Sequence, residues 1–471
     1  MEDRMELINK TPFPAILYVA SDCERVDHQI VVMKVSYKME RVSENQWGLK
    51  LIRDESIQLC MADEYWGEVG LSSVKMESDL APFKPKCDVI LSGSAHTANH
   101  KEMPAIAVKL KLSYPEKEKV IKAPIEPKPL NPMMPLTESQ KKQYQHELAA
   151  YEKALKEQEN LKYITQIDKT LSVLGESEFK PNFLLPGWKR TFVKKFTELP
   201  LRWEYSFGGA HKLHYLPDES DDAFYHQACF SNPIGTGWIE NGFFNAFQKM
   251  NAKRKREERI LNYKTIPAPR IEGHKQRQNK PNFFSNPKSA SLTTKQMAQV
   301  IKKYDVKAVG FGFTGRSWSP RISYSGTYDQ KWIDEQHPYP PKDMDYSYWN
   351  AAPEDQQIDF FYPKSKLELW NLTHPSFSKN GYVCFHFSDH YPYLKLKMEA
   401  GNIIPWPMTT ETVFIDTDKL IISLTHKAWI PHLDPEILIV ESHFNQFPEI
   451  KIFEKQNENK NEIKEFETYG N

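Results

Sequence analysis

The chain has 471 residues, more than one hydrophobic core usually serves, so we expect two or three structural units. Lys plus Arg and Asp plus Glu each total 62, a balance that argues against a dedicated nucleic-acid binder, because such proteins need a basic face to release phosphate counterions. The five cysteines are scattered and include no CxxC pair, which argues against a disulfide framework and against a cysteine-based zinc site.

The first residues show no targeting signal. MEDRMELINKTPFP lacks the basic start and the apolar run of a signal peptide. FPAILYVA (13–20) is among the longest apolar runs, and it is far too short to cross a membrane. We therefore expect a soluble, cytoplasmic protein without a membrane span.

Apolar and polar residues alternate at several places along the chain, as is typical of half-buried strands. In AIAVKLKLS (105–113), Val108, Leu110 and Leu112 fall on one side of the strand, and Lys109 and Lys111 fall on the other. Similar strands are predicted at 29–39, 366–372, 393–398 and 420–430. The pattern predicts a mainly β fold, a β-sandwich-like body of one or two packed β units, with helical insertions.

A first insertion follows the strand at 105–113. Residues 115–135 are rich in proline and predict a stiff, extended linker. Thr137 and Gln140 have the spacing of a capping box, and an apolar stripe continues the predicted helix to about residue 163. This helix either packs its stripe on the body or projects as an arm that grips a partner.

A second insertion, at 243–305, has a basic centre, KRKREER (253–259). Glu257 and Glu258 within it favour a solvated helix face over a nucleic-acid signal. Another short helix is predicted at 292–304. The predicted organisation is a β region at 1–118, the linker and helical insertion at 119–166, a β region at 167–242, the basic insertion at 243–305, a C-terminal β region at 306–455, and a polar tail at 456–471.

Three short motifs resemble catalytic or binding signatures, and none has the context that its chemistry needs. GFGFTG (310–315) matches G-x-G-x-x-G, but no helix is predicted to follow it, so we interpret it as a glycine-rich turn between β segments. GLSSV (70–74) lacks the second glycine of a serine-hydrolase elbow. HFSDH (386–390) overlaps the predicted strand YVCFHF (382–387), and a strand through both histidines would hold them over roughly 13 Å apart, too far for one metal ion. We predict no metal site and no cofactor.

The densest group of acidic and aromatic residues is ADEYWGEVGLSSVKMESDLAPFKPKCDVILSG (62–93). A carboxylate pair within 63–79 would suit a hydrolase that acts on a saccharide or a peptide, and this alternative stays open. Acids beside aromatic residues in a turn more often cap backbone amides and fix loops. Since Trp66 precedes Gly67 in a turn, we expect its ring to anchor the loop to the core.

Several strings, in their order along the chain, resemble one bacterial family that was long described only as a domain of unknown function and is associated with type VI secretion. They are ADEYWG and SDLAPFKP in the first block, then LPLRWEYSFGG (199–209), NPIGTGW (232–238), IPAPRIE (266–272), KAVGFGFTGRSWSPR (307–321), GTYDQKW (326–332), NAAPEDQQ (350–357) and VFIDTD (413–418). Residues 119–166 and much of 243–305 look like insertions relative to a typical member.

The resemblance implies a non-enzymatic cytoplasmic adaptor or chaperone. Such a protein binds a toxic effector and helps to load it onto the VgrG spike, without nucleic acid, a cofactor or catalytic residues. A structural subunit of the secretion apparatus is a further alternative. The family-signature positions, with a structural or cargo-binding role, are Asp63, Glu64, Tyr65, Trp66, Asp79, Lys84, Trp318, Arg321, Tyr328 and Asp355.

Overall fold

The computed structural model describes residues 5–53, 57–116, 139, 142–146, 148–149, 162–181, 188–214, 224–240, 252, 265–276, 282–284, 309–399, 401–431 and 437–446. Most of the predicted arm and most of the second insertion lie outside the described residues, including KRKREER and the helix expected at 292–304. The predicted polar tail at 456–471 also lies outside them.

The described residues are mainly in strands, which confirms the predicted mainly β fold. In chain order the strands are β1 (Glu6–Asn9), β2 (Ala15–Ser21), β3 (Asp27–Ser43), β4 (Gln46–Leu51), β5 (Glu64–Tyr65), β6 (Val74–Met76), β7 (Cys87–Ser92), β8 (Ser94–His96), β9 (Ala105–Pro115), β10 (Tyr163–Leu174), β11 (Glu178–Pro181), β12 (Trp188–Arg190), β13 (Glu198–Pro200), β14 (Phe207–Gly208), β15 (Ala210–His214), β16 (Phe224–Ala228), β17 (Thr236–Glu240), β18 (Ile266–Pro267), β19 (Ile271–Gly273), β20 (Asn282–Phe284), β21 (Gln357–Ile358), β22 (Lys366–Trp370), β23 (Tyr382–His386), β24 (His390–Met398), β25 (Ile403–Pro407), β26 (Thr409–Asp416), β27 (Ile421–Pro431) and β28 (Ile437–Gln446).

Helical structure is sparse in the described part of the chain. One short α-helix, α1 (Gln330–Glu335), begins after Asp329, whose carboxylate accepts a hydrogen bond from the Trp332 amide at 2.9 Å. Residues 139, 142–146, 148–149 and 252 are helical as well. The 3-10 helices are Ala98–His100, Trp203–Tyr205, Arg321–Tyr324, Tyr346–Trp349 and Glu354–Gln356.

Within the described residues, three larger sheets form the body. The seven-stranded sheet has the order β2-β3-β27-β26-β7-β21, with β4 also paired to β3, and only β7 and β26 in it are parallel. The five-stranded sheet has the order β19-β10-β9-β22-β23, and the four-stranded sheet has the order β1-β28-β24-β25. The smaller sheets are β12-β11-β18, β14-β17-β20, β13-β8, β15-β16 and β5-β6.

The main hydrophobic core joins the inner faces of these three sheets. Val31 and Met33 of β3 belong to the same buried cluster as Leu110 of β9, Leu369 of β22 and Leu396 of β24. Their neighbours along each strand point the other way, because side chains alternate between the two faces of a sheet. All five strands predicted from alternation are confirmed by the structure, with ends that differ by a few residues.

The first insertion connects two neighbouring strands of one sheet. β9 ends at Pro115 and β10 begins at Tyr163, and these two residues are paired across the ladder. The Glu116 amide donates to the Lys162 carbonyl at 2.8 Å just beyond that pair. The expectation that the helix continues to about 163 is therefore wrong at its end, because Tyr163 is already recruited into β10.

Candidate functional site

The signature segment, which we define as residues 60–84, contains a short hairpin with an exposed tip. β5 and β6 pair antiparallel, and the Trp66 amide donates to the Ser73 carbonyl at 3.0 Å. The Ser72 hydroxyl accepts from the Gly67 amide at 2.9 Å. Gly70 has a φ of 77°, in the left-handed region that glycine occupies at little cost. These features fix residues 66–73 as a structured tip.

The signature segment covers a polar face of the seven-stranded sheet. One face of this sheet carries the main core, whereas the opposite face carries buried acidic and basic side chains from β3, β7, β26 and β27. Among the described residues, three ion pairs lie here: Lys34–Asp79, Lys84–Asp88 and Lys427–Glu411. Lys427 also donates to the Ala81 carbonyl. Because a buried charge that loses its partner is strongly destabilising, these contacts hold the segment against the sheet.

Asp79 closes the base of the hairpin. Its carboxylate accepts hydrogen bonds from the Cys60 amide at 2.7 Å and from the Thr425 hydroxyl at 2.8 Å, and it forms an ion pair with Lys34. The Asp79 amide in turn donates to the Cys60 carbonyl at 2.8 Å. Asp79 is therefore a buried structural carboxylate that joins the two ends of the hairpin to β3 and β27.

Lys84 fastens the other end of the segment. Its ammonium group donates to Asp88 at 2.8 Å and to the Thr412 hydroxyl at 2.9 Å. Burial alone opposes the charged lysine, but the charge and hydrogen bond of Asp88 outweigh this effect and raise the pKa of Lys84. Asp88 also accepts from the Ala351 amide at 2.8 Å, which links the segment to the NAAPEDQQ loop.

Two arginines from the loop after GFGFTG bind acidic side chains of the hairpin. The Arg321 guanidinium binds Glu77 through two hydrogen bonds, of which Nη2 to Oε2 measures 2.9 Å, and both side chains are buried. Arg316 donates to Asp63 at 2.9 Å, and the Ser78 amide donates to the same Asp63 oxygen at 2.9 Å. The bidentate contact between Arg321 and Glu77 fixes geometry as well as charge.

The predicted acids of the hairpin face different partners. Glu64 forms an exposed ion pair with Lys75 at 2.8 Å, and the hydrogen bond from Lys75 lowers the pKa of Glu64. Asp63 and Asp79 accept from backbone amides at separate places. Asp63 and Glu77 share Arg316, but both are occupied by guanidinium groups. No observation here favours the paired carboxylates that the hydrolase alternative needs.

Tyr65 lies on the inner side of the hairpin. Its side chain packs against a small buried cluster that includes Val74, Phe313 and Phe414. Burial is the main cause that raises the pKa of Tyr65, and the nearby carboxylate of Asp63 adds to it. Tyr65 therefore supports the hairpin rather than facing a ligand.

The GFGFTG motif forms a closely packed loop. No helix begins at it, and the next helical turn along the chain is Arg321–Tyr324. Trp203 donates from its indole nitrogen to the Phe313 carbonyl at 2.8 Å, and a Cβ atom at Gly310 would lie only 2.8 Å from the Trp203 ring. The predicted signature residue Trp318 is buried and packs edge-on against Trp203, with ring centroids 5.6 Å apart. Here glycine permits tight packing with tryptophan.

The two remaining signature residues have different settings. Tyr328 is exposed and contacts the Trp332 ring at a centroid distance of 4.7 Å. Asp355 is the counter-ion of Lys169, a buried lysine on the core side of β10, at 2.7 Å. Burial lowers the pKa of Lys169 although Asp355 opposes that shift. Lys169 also donates to Gln356, whose side-chain amide donates to carbonyls of β7 and of the GFGFTG loop.

The HFSDH histidines do not lie on one strand. The predicted strand YVCFHF is confirmed as β23, which ends at His386 in the five-stranded sheet, whereas His390 begins β24 in the four-stranded sheet. In the part of the chain that the structure describes, no three His, Cys, Asp or Glu side chains are grouped so that they could hold a metal ion.

Burial raises the pKa of the Cys60 thiol to about 11, which keeps it in the unreactive thiol form at neutral pH.

Trp66 lies on the surface, so the expectation that it anchors the loop to the core is wrong. Trp66 is 41% exposed, and two cationic groups lie near its ring: the Arg202 guanidinium at 4.2 Å and the Lys75 ammonium at 5.9 Å from the centroid. The exposed apolar side chains of the segment are Met61, Trp66, Val69 and Leu71. The tip is therefore an apolar surface on a support held by ion pairs.

A cleft of about 220 Å³ lies beside this tip. Trp66, Trp203 and Phe313 contribute apolar surface, Lys75 and Arg202 contribute positive charge, and Asp418 is an acid in its wall. The cleft is smaller than the usual 300–1,000 Å³ of a small-molecule site. Its size and mixed lining suit the side chains of a protein segment.

Sequence reasoning did not single out Lys34, Asp88 or Arg202. For Lys34 and Lys427 a signal is present, because each interrupts an apolar stretch of a central strand, VVMKVSY and LTHKAWI. A lysine at such a position is buried only with a counter-ion. No comparable signal marks Arg202, whose role depends on contact with a residue far away in the sequence.

Comparison with known proteins identifies a bacterial family. A family described as an uncharacterized protein conserved in bacteria, DUF2169, matches residues 24–123 and 160–427. The chain belongs to this family. The DUF2169 match is interrupted at 124–159, within the first insertion, and continues across 243–305. No curated protein and no solved structure shows significant similarity to the chain. None of the helices in the described part of the chain has the length and apolar character needed to cross a bilayer.

Proposed function

We propose that this DUF2169 protein is a non-enzymatic adaptor that acts in the bacterial cytoplasm, where it binds a type VI secretion effector and helps to load it onto the VgrG spike. The link to secretion rests on the ordered signature strings. The observation that carries a binding role is the exposed apolar tip, with Trp66, Val69 and Leu71, on a segment fastened by buried ion pairs.

A preformed apolar surface loses little conformational entropy when it binds a partner. Apolar side chains on a preformed support lose little freedom when a partner covers them, so more of their contact energy contributes to affinity. Tryptophan and arginine are enriched among the residues that dominate interface energies, and Trp66 and Arg202 are stacked together at the tip. Most of the signature charges are paired within the fold, which suits a supporting role rather than catalysis.

Co-expression with a toxin encoded beside its gene, followed by affinity capture, tests the proposal. We expect a stable complex with the toxin, recruitment of VgrG to that complex, and loss of toxin secretion when the adaptor gene is deleted. The absence of any complex, together with unchanged secretion after the deletion, would overturn the proposal. A fixed copy number in the purified secretion apparatus would favour a structural subunit instead.

A further inference from the structure

Arg202 presents a guanidinium group that is oriented but has no anionic partner. Its carbon atom lies 4.2 Å from the centroid of the Trp66 ring, a distance typical of stacking. Trp66 is itself held by the hydrogen bond from its amide to Ser73. Stacking on a fixed ring restricts the long arginine side chain, so a ligand of the guanidinium would meet a group that is already ordered.

Two of the nearby acids are engaged with other groups. Glu64 binds Lys75, and Glu204 accepts from the Ser73 amide at 2.9 Å and from the Ser73 hydroxyl. Within the described residues, the Arg202 guanidinium forms no hydrogen bond and no ion pair. Arg202 therefore adds a positive charge without an ion-pair partner next to apolar surface, whereas Glu198 and Asp418 are the acids of the same cleft.

The cleft has acidic as well as basic lining residues, so a bound segment with both kinds of group would have a preferred orientation. Asp418 and Glu198 line the cleft as well; Asp418 accepts a hydrogen bond from the Ser94 hydroxyl at 3.2 Å, and Glu198 lies 3.9 Å from His96. A ligand with negative charge at Arg202 and hydrogen-bond donors towards Asp418 is complementary to both. An extended polypeptide has backbone N–H donors along its whole length, and an aspartate or glutamate side chain supplies the carboxylate.

We infer that the cleft binds a segment of a partner protein in which an Asp or Glu side chain pairs with Arg202 while adjacent apolar side chains cover Trp66, Val69 and Leu71. The planar guanidinium accommodates the two oxygens of a carboxylate in parallel hydrogen bonds. The inference rests on the proposed function in that the partner is the effector, and it adds the chemistry by which the effector is recognised.

The test uses overlapping peptides that tile the effector, with dissociation constants measured by fluorescence polarisation against the full-length protein. Peptides that bind are remade in two forms: with Asp and Glu replaced by Asn and Gln, and with the C-terminus amidated. We expect the Asn/Gln form to bind about 10- to 100-fold more weakly, since a hydrogen bond to a charged group is lost. Amidation should leave the affinity unchanged.

Variants of the protein provide the second arm. Arg202→Gln should weaken the native peptide by the same factor and leave the Asn/Gln peptide unaffected, whereas Arg202→Lys should fall between, because it keeps the charge but loses the planar fork. Arg41→Gln is the matched control, since its guanidinium bonds only to carbonyls of its own hairpin. Urea midpoints of all three variants confirm that each is folded.

Two results would overturn the inference while leaving the proposed function intact. One is capture of the effector by Arg202→Gln as efficiently as by the wild-type protein. The other is a peptide that loses binding on amidation but not on replacement of its acidic side chains, which would make a free C-terminus the ligand. Failure of the wild-type protein to capture any effector would instead contradict the proposed function.

Discussion

Replacement of Asp88 by asparagine tests the claim that buried charges hold the signature segment in place. Asp88 is fully buried and accepts from Lys84 at 2.8 Å, from the Ala351 amide at 2.8 Å, from Asn350 at 3.0 Å and from the Ala352 amide at 3.2 Å. Asparagine keeps one acceptor oxygen but turns an NH₂ group towards these donors. It also leaves the Lys84 ammonium buried without its counter-ion.

The expected cost of Asp88→Asn follows from these contacts. Loss of one partner of a buried ion pair costs about 3–5 kcal/mol. The four hydrogen bonds do not add to this figure separately, because they belong to the same network. Against a typical total stability of about 5–15 kcal/mol, the variant should lose a large share of the free energy of unfolding.

Equilibrium urea unfolding, followed by tryptophan fluorescence, measures this change. Asp359→Asn is the control, because its carboxylate is 95% exposed and lies 3.9 Å from Lys86. An exposed pair of this kind contributes little, so the control should stay within about 0.5 kcal/mol of the wild-type protein. If Asp88→Asn also stays within about 1 kcal/mol, the ion pairs do not hold the segment.

Three further predictions concern packing, pH and the first insertion. Gly310→Ala should lower the free energy of unfolding by about 1–3 kcal/mol, because its new Cβ would lie 2.8 Å from the Trp203 ring. Gly312→Ala is the control: its Cβ would lie 3.5 Å from that ring, so it should cost less than half as much, and urea titration measures both variants. Burial lowers the pKa of His426 to about 3, so below about pH 6.5 the unfolded chain binds a proton at this residue before the folded chain does, and the free energy of unfolding should fall by about 1.4 kcal/mol per pH unit from this group. His426→Gln should therefore show a shallower loss of stability between about pH 6.5 and pH 4.5 than the wild-type protein, whereas the exposed His390→Gln should not. Equal slopes for His426→Gln and the wild-type protein would contradict the assignment. Replacement of 117–161 by a short Gly-Asn turn should leave a folded protein with an unchanged circular dichroism spectrum in the β region, because that segment joins two paired strands, and insoluble protein would show that it is part of the core.

Alternation of apolar and polar residues was sufficient to predict the strands that build the core. It failed for the second face of the seven-stranded sheet, where Lys34 and Lys427 occupy positions that alternation assigns to solvent. Whether a polar face meets water or other protein depends on what covers it. Here the cover is the signature segment, whose approach is set by contacts between residues hundreds of positions apart, such as Thr425 with Asp79.

The signature residues were found from the sequence, but their individual roles were not. Asp79, Lys84 and Arg321 were predicted as structural or cargo-binding residues, and the structure places all three in buried contacts. Trp66 was expected in the core for a local reason, its position before Gly67 in a turn. Local conformation does not decide which way a turn faces, and here the ring stacks on Arg202 at the surface.

We propose that the signature segment is a support whose Trp66 tip binds the partner. The most direct test measures effector capture and the free energy of unfolding on one variant, Trp66→Ala. We predict at least about a 10-fold loss of affinity for the effector, as expected for an interface tryptophan, with stability within about 1 kcal/mol of the wild-type protein. Unchanged affinity, or a loss of about 3–5 kcal/mol in stability as expected for a core aromatic such as Trp203, would contradict the claim.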